Sequence, residues 1–301
     1  MLIKEFDQKI LSRDDKALMI VSKIYGGLAG QMLQYALGKH LSLINDTDLF
    51  LDLSWYAYHH NLEFPREFKL NKLKTNYKIV DNATFLWKLR LTEKFGKINP
   101  LKLKRYHEED YTHFSPEVLN LNGKIFLDGY FFSYKYFYPI LNLLQREFEI
   151  KDNLDDRNEH QLDKIRNTNS VSVHFRRGDY ALTSFHGMLE ISYYKKAIKY
   201  LGEKFPDIHL YIFSDEPSWV RQNMFFGDFQ SEIVDYNKDE FNYIDMELMK
   251  NCKHNIIANS GFSWWAAILN KNKNATVIAP KKWFNEGNTK ADNIPPDWII
   301  F

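Results

Sequence analysis

Apolar residues occur along this chain in short continuous runs, and each run predicts a strand that is covered on both faces. Between the runs, apolar residues spaced three and four apart predict helices with one buried face. In the first half the pattern predicts strands at 17–24, 49–53 and 125–131, helices at 31–43 and 134–148, and loops with short helices over 57–122. In the second half it predicts strands at 171–175, 208–213, 232–234, 255–258 and 275–279, and helices at 192–201, from 218, at 242–251 and at 263–270.

This alternation of strands and helices is typical of α/β proteins with parallel, Rossmann-like sheets. A polar stretch at 151–169, crowded with Asp, Asn and Arg, separates the two halves and predicts a domain boundary. We expect one Rossmann-like domain over residues 1–155 and a second over residues 156–301. In such sheets, ligands bind beyond the carboxyl ends of the strands.

Two polar motifs follow predicted strands in the second half. The first, His174-Phe175-Arg176-Arg177-Gly178-Asp179, places two adjacent guanidinium groups at a strand end, and their planar forks match phosphate oxygens. The second, Asn259-Ser260-Gly261-Phe262-Ser263, stands where a strand turns into a helix and supplies hydroxyls and free backbone N–H groups. Together the motifs predict a diphosphate clamp and therefore a nucleotide or nucleotide-sugar ligand.

Composition narrows the class of protein without naming it. The 301 residues are 45% hydrophobic and 26% charged, and the net charge of +1 gives no general attraction for nucleic acid. The single Cys252 cannot form an internal disulfide, which favours a reducing compartment. The first sixteen residues are rich in charge, and no run reaches the roughly 18–20 apolar residues of a membrane helix. We expect a cytoplasmic protein; basic stretches at 69–78 and 94–105 leave peripheral contact with the inner membrane open.

The motifs resemble those of a known family. His174-x-Arg176-Arg177-x-Asp179 is similar to the H-x-R-R-x-D signature of α-1,2- and α-1,6-fucosyltransferases. Gly26-Gly27-Leu28 followed by Gln31-Met32 resembles the opening of bacterial α-1,2-fucosyltransferases, which form glycosyltransferase family 11. Three further blocks match in order, at 213–216, 256–265 and 279–284. One block alone is weak evidence, whereas five in order are strong.

The resemblance implies two facing Rossmann-like domains, the GT-B arrangement, with the donor in the C-terminal half and the acceptor in the N-terminal half. It implies an inverting, metal-independent transfer of L-fucose from GDP-fucose to the 2-hydroxyl of a terminal β-galactose, so no cofactor is expected. It further implies that Arg176 contacts the donor β-phosphate, that His174 supports this contact and that Asp245 reads guanine. Asp215 would lie near the ribose or the base. The other donor-binding residues that we expect are Gly27, Arg177, Asn259, Ser260, Phe262 and Ser263.

The chemistry of the reaction agrees with these residue types. The departing diphosphate gains negative charge as its bond to the sugar breaks, and without a metal that charge must be met by Arg and by N–H donors. A general base could assist deprotonation of the acceptor hydroxyl. Asp179, His186 and His174 are the candidates, and the sequence leaves the choice open.

Each of these residues also has a purely structural interpretation. Arg176 and Arg177 could pair with Asp179 and an acidic helix, and His174 could be an ordinary buried strand residue. Asp215 could cap the helix near Pro217, and Asp245 could lie on an exposed helix face. Trp264 and Trp265 favour core packing over a sugar platform. Asp46-Thr47-Asp48 has the D-x-D pattern of a metal-dependent class, but it precedes a strand and we predict a turn.

The chain departs from the family pattern in its first half. Gly30 stands where the opening motif has Asn, Ala29 stands where it has Gly, and Phe132 stands where Gln is usual. We expect Ala29 to be costly if the backbone there has positive φ. Because the donor motifs are intact, these changes bear on the acceptor. Two rivals therefore stay open: a transferase for another GDP-sugar or acceptor, and a catalytically silent GDP- or glycan-binding relative.

Overall fold

The computed structural model describes residues 18–58, 66–80, 88, 101–111, 113–181, 187–285 and 292–301. The chain divides into two compact units. The first comprises Met1–Phe68 with Thr75–Ile140, and the second comprises Lys69–Lys74 with Leu141–Phe301. The domain limits at residues 155 and 156 stay a prediction.

The first unit contains a parallel five-stranded sheet in the order β3-β2-β1-β5-β4. Strands β1 and β5 form its centre, where Ile20, Val21, Phe126 and Leu127 have no exposed surface. The described elements are β1 (Met19–Lys23), α1 (Leu28–Ile44), β2 (Leu49–Asp52), α2 (Ser54–Tyr58), β3 (Lys78–Ile79), β4 (Lys104–His107), β5 (Lys124–Asp128) and 3₁₀ turns at Pro116–Asn120, Tyr134–Tyr136 and Tyr138–Ile140.

The second unit contains a parallel six-stranded sheet in the order β11-β10-β9-β6-β7-β8. Central strand β6 is buried over six of its seven residues. The described elements are a 3₁₀ turn at Leu70–Lys72, α3 (Leu141–Glu147), α4 (Asp156–Asn167), β6 (Asn169–Phe175), α5 (Gly178–Ala181), α6 (Ile191–Lys204), β7 (Ile208–Ser214), α7 (Pro217–Asn223), β8 (Gln230–Val234), a 3₁₀ turn at Asp239–Phe241, α8 (Asn242–Lys250), β9 (His254–Ile256), α9 (Gly261–Ile268), β10 (Val277–Ala279) and β11 (Ile299–Ile300). The predicted α/β class, with two parallel Rossmann-like sheets, is confirmed.

In each sheet the chain first adds strands on one side of the starting strand and then returns to add strands on its other side. This point is called the strand reversal below, and all of the strands stay parallel. In the second unit the chain runs from β6 through β7 to β8, and then returns to place β9 on the other side of β6. In the first unit it runs from β1 through β2 to β3, and β5 then pairs with the other side of β1. Ligands of open α/β sheets bind at the carboxyl ends of the strands at such a reversal.

Two predicted helices begin or end elsewhere. Helix α1 starts at Leu28, three residues before the prediction, with Gly27 as its N-cap. The positive φ of this turn, 74°, falls on Gly26, whereas Ala29 lies inside the helix, so the expected cost at Ala29 does not arise. The predicted helix 134–148 consists of two 3₁₀ turns followed by α3. Pro139 explains the break, because it lacks an N–H donor and disfavours helical geometry in the residue before it.

The prediction of loops and short helices over 57–122 missed β3 and β4. These strands are polar and largely exposed, and they form the two edges of the sheet, where charged residues are common. Short strand β11 was also missed. The predicted turn at Asp46 is confirmed: Asp46 has φ 48°, and the neighbouring Asp48 pairs with Lys78. No helix among the described residues has the length and apolar character needed to cross a membrane.

Candidate functional site

The two arginines of the first motif follow β6 and meet the acidic residues that follow β7. Strands β6 and β7 are neighbours, with Phe175 beside Ser214. An Arg176 guanidinium nitrogen lies 3.1 Å from Asp215 Oδ2, and the Arg177 backbone N–H donates to Asp215 Oδ1 at 3.0 Å. Both side chains of the Arg176–Asp215 pair keep about a quarter of their surface exposed (24% and 23%). Asp215 therefore holds Arg176 at the carboxyl ends of β6 and β7, where an anionic ligand can reach it.

Gly178 is required for this arrangement. A Cβ atom on Gly178 would lie 2.9 Å from Asp215 Oδ2. Any side chain there would push the carboxylate away from Arg176 and from the Arg177 N–H group. The glycine that interrupts the Arg-Arg-Gly-Asp motif thus has a steric role.

Arg177 is engaged in local packing. Its Nε donates to Glu216 at 3.1 Å, and its guanidinium carbon lies 3.5 Å above the centre of the Trp219 ring. The Trp219 contact is a cation–π interaction, and the Glu216 carboxylate balances the charge. The structure thus gives Arg177 the partners of a structural residue. Asp215 does not cap α7, because the N-cap residue is Glu216.

His174 is buried beneath this site. Only 4% of its surface is exposed, and its Nδ1 atom has no hydrogen-bond partner among the described residues. Burial, with a smaller contribution from the charge of Arg176, lowers the pKa of His174 to about 3. Its ring centre lies 5.7 Å from that of Phe262. A ring that stays neutral at physiological pH is suited to packing between Arg176 and Phe262, and less suited to accepting a proton.

The second motif forms the start of α9, directly after β9. Strand β9 pairs with β6, with Val173 beside Ile256, so the two motifs lie on either side of the strand reversal. Ser260 is the N-cap, and its side chain accepts the Phe262 N–H at 3.4 Å. The start of the helix presents N–H groups and the positive end of its dipole, which together favour an anion.

Two further residues of the motif brace this turn from within. Ser263 is fully buried; its hydroxyl accepts the Ala258 N–H at 3.2 Å and donates to the Ser260 carbonyl at 3.3 Å. The Asn259 side-chain amide donates to the carbonyls of Gly187 and Trp283, each at 3.1 Å. Trp264 and Trp265 have no exposed surface and are core residues, as predicted. Ser263 and Asn259 therefore shape the turn, and their predicted contact with the donor stays a prediction.

Asp245 lies in the first turn of α8, just past the carboxyl end of β8. Asn237 donates to its Oδ1 at 2.9 Å, and Asn237 is itself fixed by two reciprocal amide hydrogen bonds with Asn158, at 2.9 and 2.8 Å. Burial raises the pKa of Asp245 to about 7, against the lowering effect of the Asn237 hydrogen bond. Asp245, the predicted guanine-binding residue, is thus held in a defined orientation, and its carboxyl group titrates close to pH 7.

Sequence reasoning missed the aromatic platform beside Asp245. The Arg157 guanidinium carbon lies 3.6 Å above the centre of the Tyr236 ring. Tyr236 follows β8, and Arg157 belongs to the first turn of α4. A flat stack of this kind suits a purine ring. The helix pattern of α4 gave no signal for it, because the two residues are seventy-nine positions apart and meet only through the fold.

The remaining predicted residues lie in the other unit or outside the described residues. Gly27 lies in the first unit, as the N-cap of α1. Asp179 belongs to α5, but its side chain and the whole of His186 lie outside the described residues. Across the described ranges, no three His, Cys, Asp or Glu side chains are grouped so that they could hold a metal ion. Metal independence stays a prediction.

A cavity of about 330 Å³ in the second unit lies apart from these residues. Its walls contain Lys74, Lys271 and Lys250, which are already paired with Glu149 at 3.2 and 3.0 Å and with Glu247 at 2.6 Å. None of the predicted donor residues lines it. These three lysines are thus balanced by neighbouring carboxylates, and Arg166, which also lines the cavity, donates to the neutral Asn251 amide at 3.5 Å.

Parallel sheets whose polar residues gather at a reversal of strand order define a Rossmann-like architecture. The chain belongs to glycosyl transferase family 11, whose sequence profile matches residues 53–301. It is therefore a glycosyltransferase by family, and the predicted resemblance is confirmed.

Two bacterial relatives align with nearly the whole chain. The α-1,2-colitosyltransferase of Escherichia coli is 34% identical in an alignment of length 301. The alignment covers 93% of this chain and 98% of that protein. The O-antigen biosynthesis glycosyltransferase WbnK of Escherichia coli is 31% identical over 310 residues, covering 92% and 99%. Among solved structures, the α-1,6-fucosyltransferase NodZ soaked with GDP-fucose has a TM-score of 0.48 and 14% identity, covering 84% of this chain and 93% of that one.

Proposed function

We propose that this glycosyltransferase moves L-fucose from GDP-L-fucose to the 2-hydroxyl of a terminal β-galactose on a surface glycan, with inversion at the anomeric carbon and without a metal. One observation supports the donor assignment above all others. Arg176 after β6 and the N-terminus of α9 after β9 flank the strand reversal of the second sheet. A guanidinium fork and a helix N-terminus on two sides of one point suit a diphosphate.

In this proposal the chain's own groups stabilise the leaving group. The bond between the sugar C1 and the β-phosphate oxygen breaks, and the diphosphate takes the electron pair. Arg176 exchanges part of its contact with Asp215 for that developing charge, and the N–H groups at the start of α9 meet the other phosphate oxygens. The acceptor oxygen forms the new bond to C1 and passes its proton to water or to a general base, for which Asp179 and His186 stay the candidates.

Asp245 would read the guanine of the donor. Guanine presents two N–H donors on its Watson–Crick edge, and an ionised carboxylate accepts both. The Asn237–Asn158 amide pair fixes the carboxylate, and the Arg157–Tyr236 stack supplies a flat surface nearby. The pKa of about 7 means that ionisation of Asp245 must accompany guanine binding in acid solution.

A second candidate donor is favoured by one specific observation, the 34% identity with an α-1,2-colitosyltransferase. Colitose is L-fucose without its 3-hydroxyl group. A site built to hydrogen-bond that hydroxyl discriminates strongly against the analogue without it, whereas an apolar wall discriminates weakly against the hydroxylated sugar. A site that hydrogen-bonds the 3-hydroxyl would therefore select GDP-L-fucose strongly, whereas a site with an apolar wall at that position would accept both donors.

The deciding experiment measures GDP release in EDTA from GDP-L-fucose, GDP-colitose and GDP-mannose, with and without N-acetyllactosamine. We expect acceptor-stimulated release from GDP-L-fucose. Arg176→Ala should reduce it roughly 10²–10³-fold, because a preorganised charge-stabilising donor is lost. Arg176→Lys should recover part of the rate, since it keeps the charge and loses the fork. Arg166→Ala, on the far end of α4, is the matched control and should retain full activity.

The other outcomes separate the rivals. Release from GDP-colitose that greatly exceeds release from GDP-L-fucose would replace the proposed donor with the second candidate. Tight GDP binding without release from any donor would indicate a silent binding protein. Activity that disappears in EDTA and returns with Mg²⁺ or Mn²⁺ would contradict the metal-free mechanism.

A further inference from the structure

Glu108 carries a carboxyl group that the donor site does not use. It directly follows β4 in the first unit, and its backbone N–H donates to the Asp128 carbonyl at the end of β5, at 3.0 Å. Strand β5 pairs with β1, and these two strands flank the reversal of strand order in the first sheet. Glu108 therefore lies at the carboxyl ends of the strands, next to the strand reversal, where an open α/β sheet binds its ligand.

One oxygen of this carboxyl holds the loop that follows β5. Glu108 Oε2 accepts the Tyr130 N–H at 2.7 Å and the Phe131 N–H at 2.8 Å. Phe131 has a φ of 56°, a conformation that L residues rarely adopt, and a Cβ on Gly129 would lie 2.4 Å from the Glu108 Cβ. The loop is thus wrapped closely around the carboxyl, and the orientation of Glu108 is fixed.

The other oxygen is unused. Glu108 Oε1 is buried and has no hydrogen-bond partner among the described residues. Asp128 nearby is different, since it is paired with Lys23 at 3.2 Å and with Arg105 at 3.5 Å. A buried carboxyl oxygen without a donor is costly, and a ligand hydroxyl that donates to it removes that cost.

The side chains around Glu108 suit a sugar. The Tyr130 ring lies 4.9 Å from the Tyr25 ring, which follows β1, and 6.4 Å from the Tyr111 ring. Tyr130 is 39% exposed, and Glu108 as a whole is only partly buried. Aromatic faces with hydroxyl tips offer both an apolar surface for C–H groups and polar contacts for sugar hydroxyls.

We infer that Glu108 Oε1, together with the Tyr130 ring, forms an acceptor-sugar subsite in which the carboxylate accepts a hydrogen bond from a sugar hydroxyl. This inference rests on the proposed glycosyl transfer and names a residue for its acceptor. Because Oε1 is buried, a sugar hydroxyl reaches it only when side chains around Glu108 move aside. Glu108 is here a positioning residue, because it acts by binding and orienting the acceptor.

Protonation of Glu108 gives the subsite a pH dependence. Burial raises the pKa of Glu108 to about 7, with a smaller contribution from the charge of Asp110, against the lowering effect of the Phe131 and Tyr130 N–H groups. The other charged or titratable groups around it are Asp128 with its partners Lys23, Arg105 and His107, Arg66 beside Tyr130, and the tyrosines Tyr25, Tyr106, Tyr111 and Tyr136. The acceptor affinity should therefore fall as the pH drops below about 7, where the carboxylate becomes protonated.

Glu108→Gln provides the decisive variant. Its single amide oxygen can still accept the two backbone N–H groups, so the loop is retained, while the amide NH₂ takes the place of Oε1 and can no longer accept. We expect the KM for N-acetyllactosamine to rise roughly 10- to 100-fold, as for a lost hydrogen bond to a charged group, and the pH dependence near 7 to disappear. The KM for the donor and the Kd for GDP should not change.

A binding measurement independent of turnover completes the test. Saturation-transfer NMR would use the methyl glycosides of β-galactose, β-glucose and their N-acetylamino analogues, with GDP present. Wild type should transfer saturation to at least one glycoside, Glu108→Gln should lose this transfer, and the exposed neighbour control Glu109→Gln should keep it. An unchanged acceptor KM in Glu108→Gln, or no saturation transfer from wild type to any glycoside, overturns the inference. Failure of the wild-type protein to bind GDP would instead overturn the proposed function.

Discussion

At the scale of single residues, Gly30 and Tyr130 form a matched pair. A Cβ on Gly30 would lie 2.9 Å from Tyr130 Cε1, so the tyrosine ring occupies the space that a side chain at position 30 needs. The family pattern has Asn at this position. The glycine at position 30 therefore leaves the room that the Tyr130 ring, from the loop after β5, occupies.

Replacing Gly30 with Ala tests this pair. Gly30 lies in the first turn of α1, where Ala favours the helix by up to about 1 kcal/mol, so the melting temperature should hold or rise. The added methyl group must displace the Tyr130 ring, and the acceptor KM should change several-fold while the donor KM stays constant. Steady-state kinetics against both substrates measure the two effects. The double variant Gly30→Ala/Tyr130→Ala should show no further change relative to Tyr130→Ala; a full additive effect contradicts the pairing.

Asp245 predicts a pH dependence of donor binding. Below its pKa of about 7 the carboxyl is protonated in the free protein, so binding guanine requires loss of a proton. The Kd for GDP should rise by up to tenfold for each pH unit below 7. Calorimetric titration between pH 8 and pH 5.5 measures this slope. Asp245→Asn is the control for titration of the diphosphate itself, and an equal slope in the variant contradicts the assignment.

At the scale of elements, the strand-to-helix turn before α9 is built from side chains that serve the backbone. Ser263 and Asn259 satisfy backbone groups on both sides of the turn, and Gly178 leaves room for Asp215 after β6. Two classes of motif residue result: those that face a ligand and those that hold the element facing it. Spacing along the chain does not distinguish them, because both classes are small and polar.

Substitution of the two serines should separate these classes. Ser263→Ala leaves the Ala258 N–H buried without an acceptor and should lower the free energy of unfolding by about 1–3 kcal/mol. Ser260→Ala removes a cap with a long 3.4 Å contact and should cost less stability, about 0.5–2 kcal/mol, while weakening GDP binding. Urea denaturation and GDP titration provide the two measurements. Ser192→Ala, exposed in the first turn of α6, is the control that should affect neither.

At the scale of the whole molecule, buried ionisable groups give opposing pH dependences of stability. The folded-state pKa of Asp245 and Glu108, about 7, exceeds that of the unfolded chain, so both disfavour the folded state as the pH rises towards 7. His174, with a folded-state pKa of about 3, is neutral when folded and disfavours the folded state as the pH falls below its unfolded value near 6.5. Above about pH 6.5 this penalty is absent, because the His174 ring is neutral in both the folded and the unfolded chain.

Acid sensitivity should therefore decrease when His174 is replaced. At pH 5 the unfolded chain gains roughly 2 kcal/mol from protonating this histidine, by the linkage of about 1.36 kcal/mol per pH unit. His174→Gln should show a correspondingly smaller loss of urea stability between pH 7 and pH 5. Asp245 and Glu108 are unchanged in both proteins, so the difference isolates His174. Parallel curves for wild type and variant would show that the ring is not buried in neutral form.

The apolar runs and their spacing determined the architecture. Strands β1, β5 and β7 contain short apolar runs because both of their faces are covered, and such runs are legible from sequence. Strand β6 is buried as well, although serines alternate with its valines. The positions of the Arg-Arg and Asn-Ser motifs after strands were legible as well, but the sequence did not show that Arg177, Asn259 and Ser263 have structural partners. Polar edge strands β3 and β4 were missed, since their exposed residues follow no apolar pattern.

The partners of each side chain were decided by tertiary structure alone. The Arg176–Asp215 pair depends on β6 and β7 being neighbours, and the Arg157–Tyr236 stack joins a helix before β6 to a loop after β8. Glu108 gave no signal in the sequence. Its one free oxygen and its raised pKa arise from a loop twenty-two residues away that encloses it. Sequence determines which groups are available along the chain, while burial and pairing, which set their charge and reactivity, exist only after the strands have assembled.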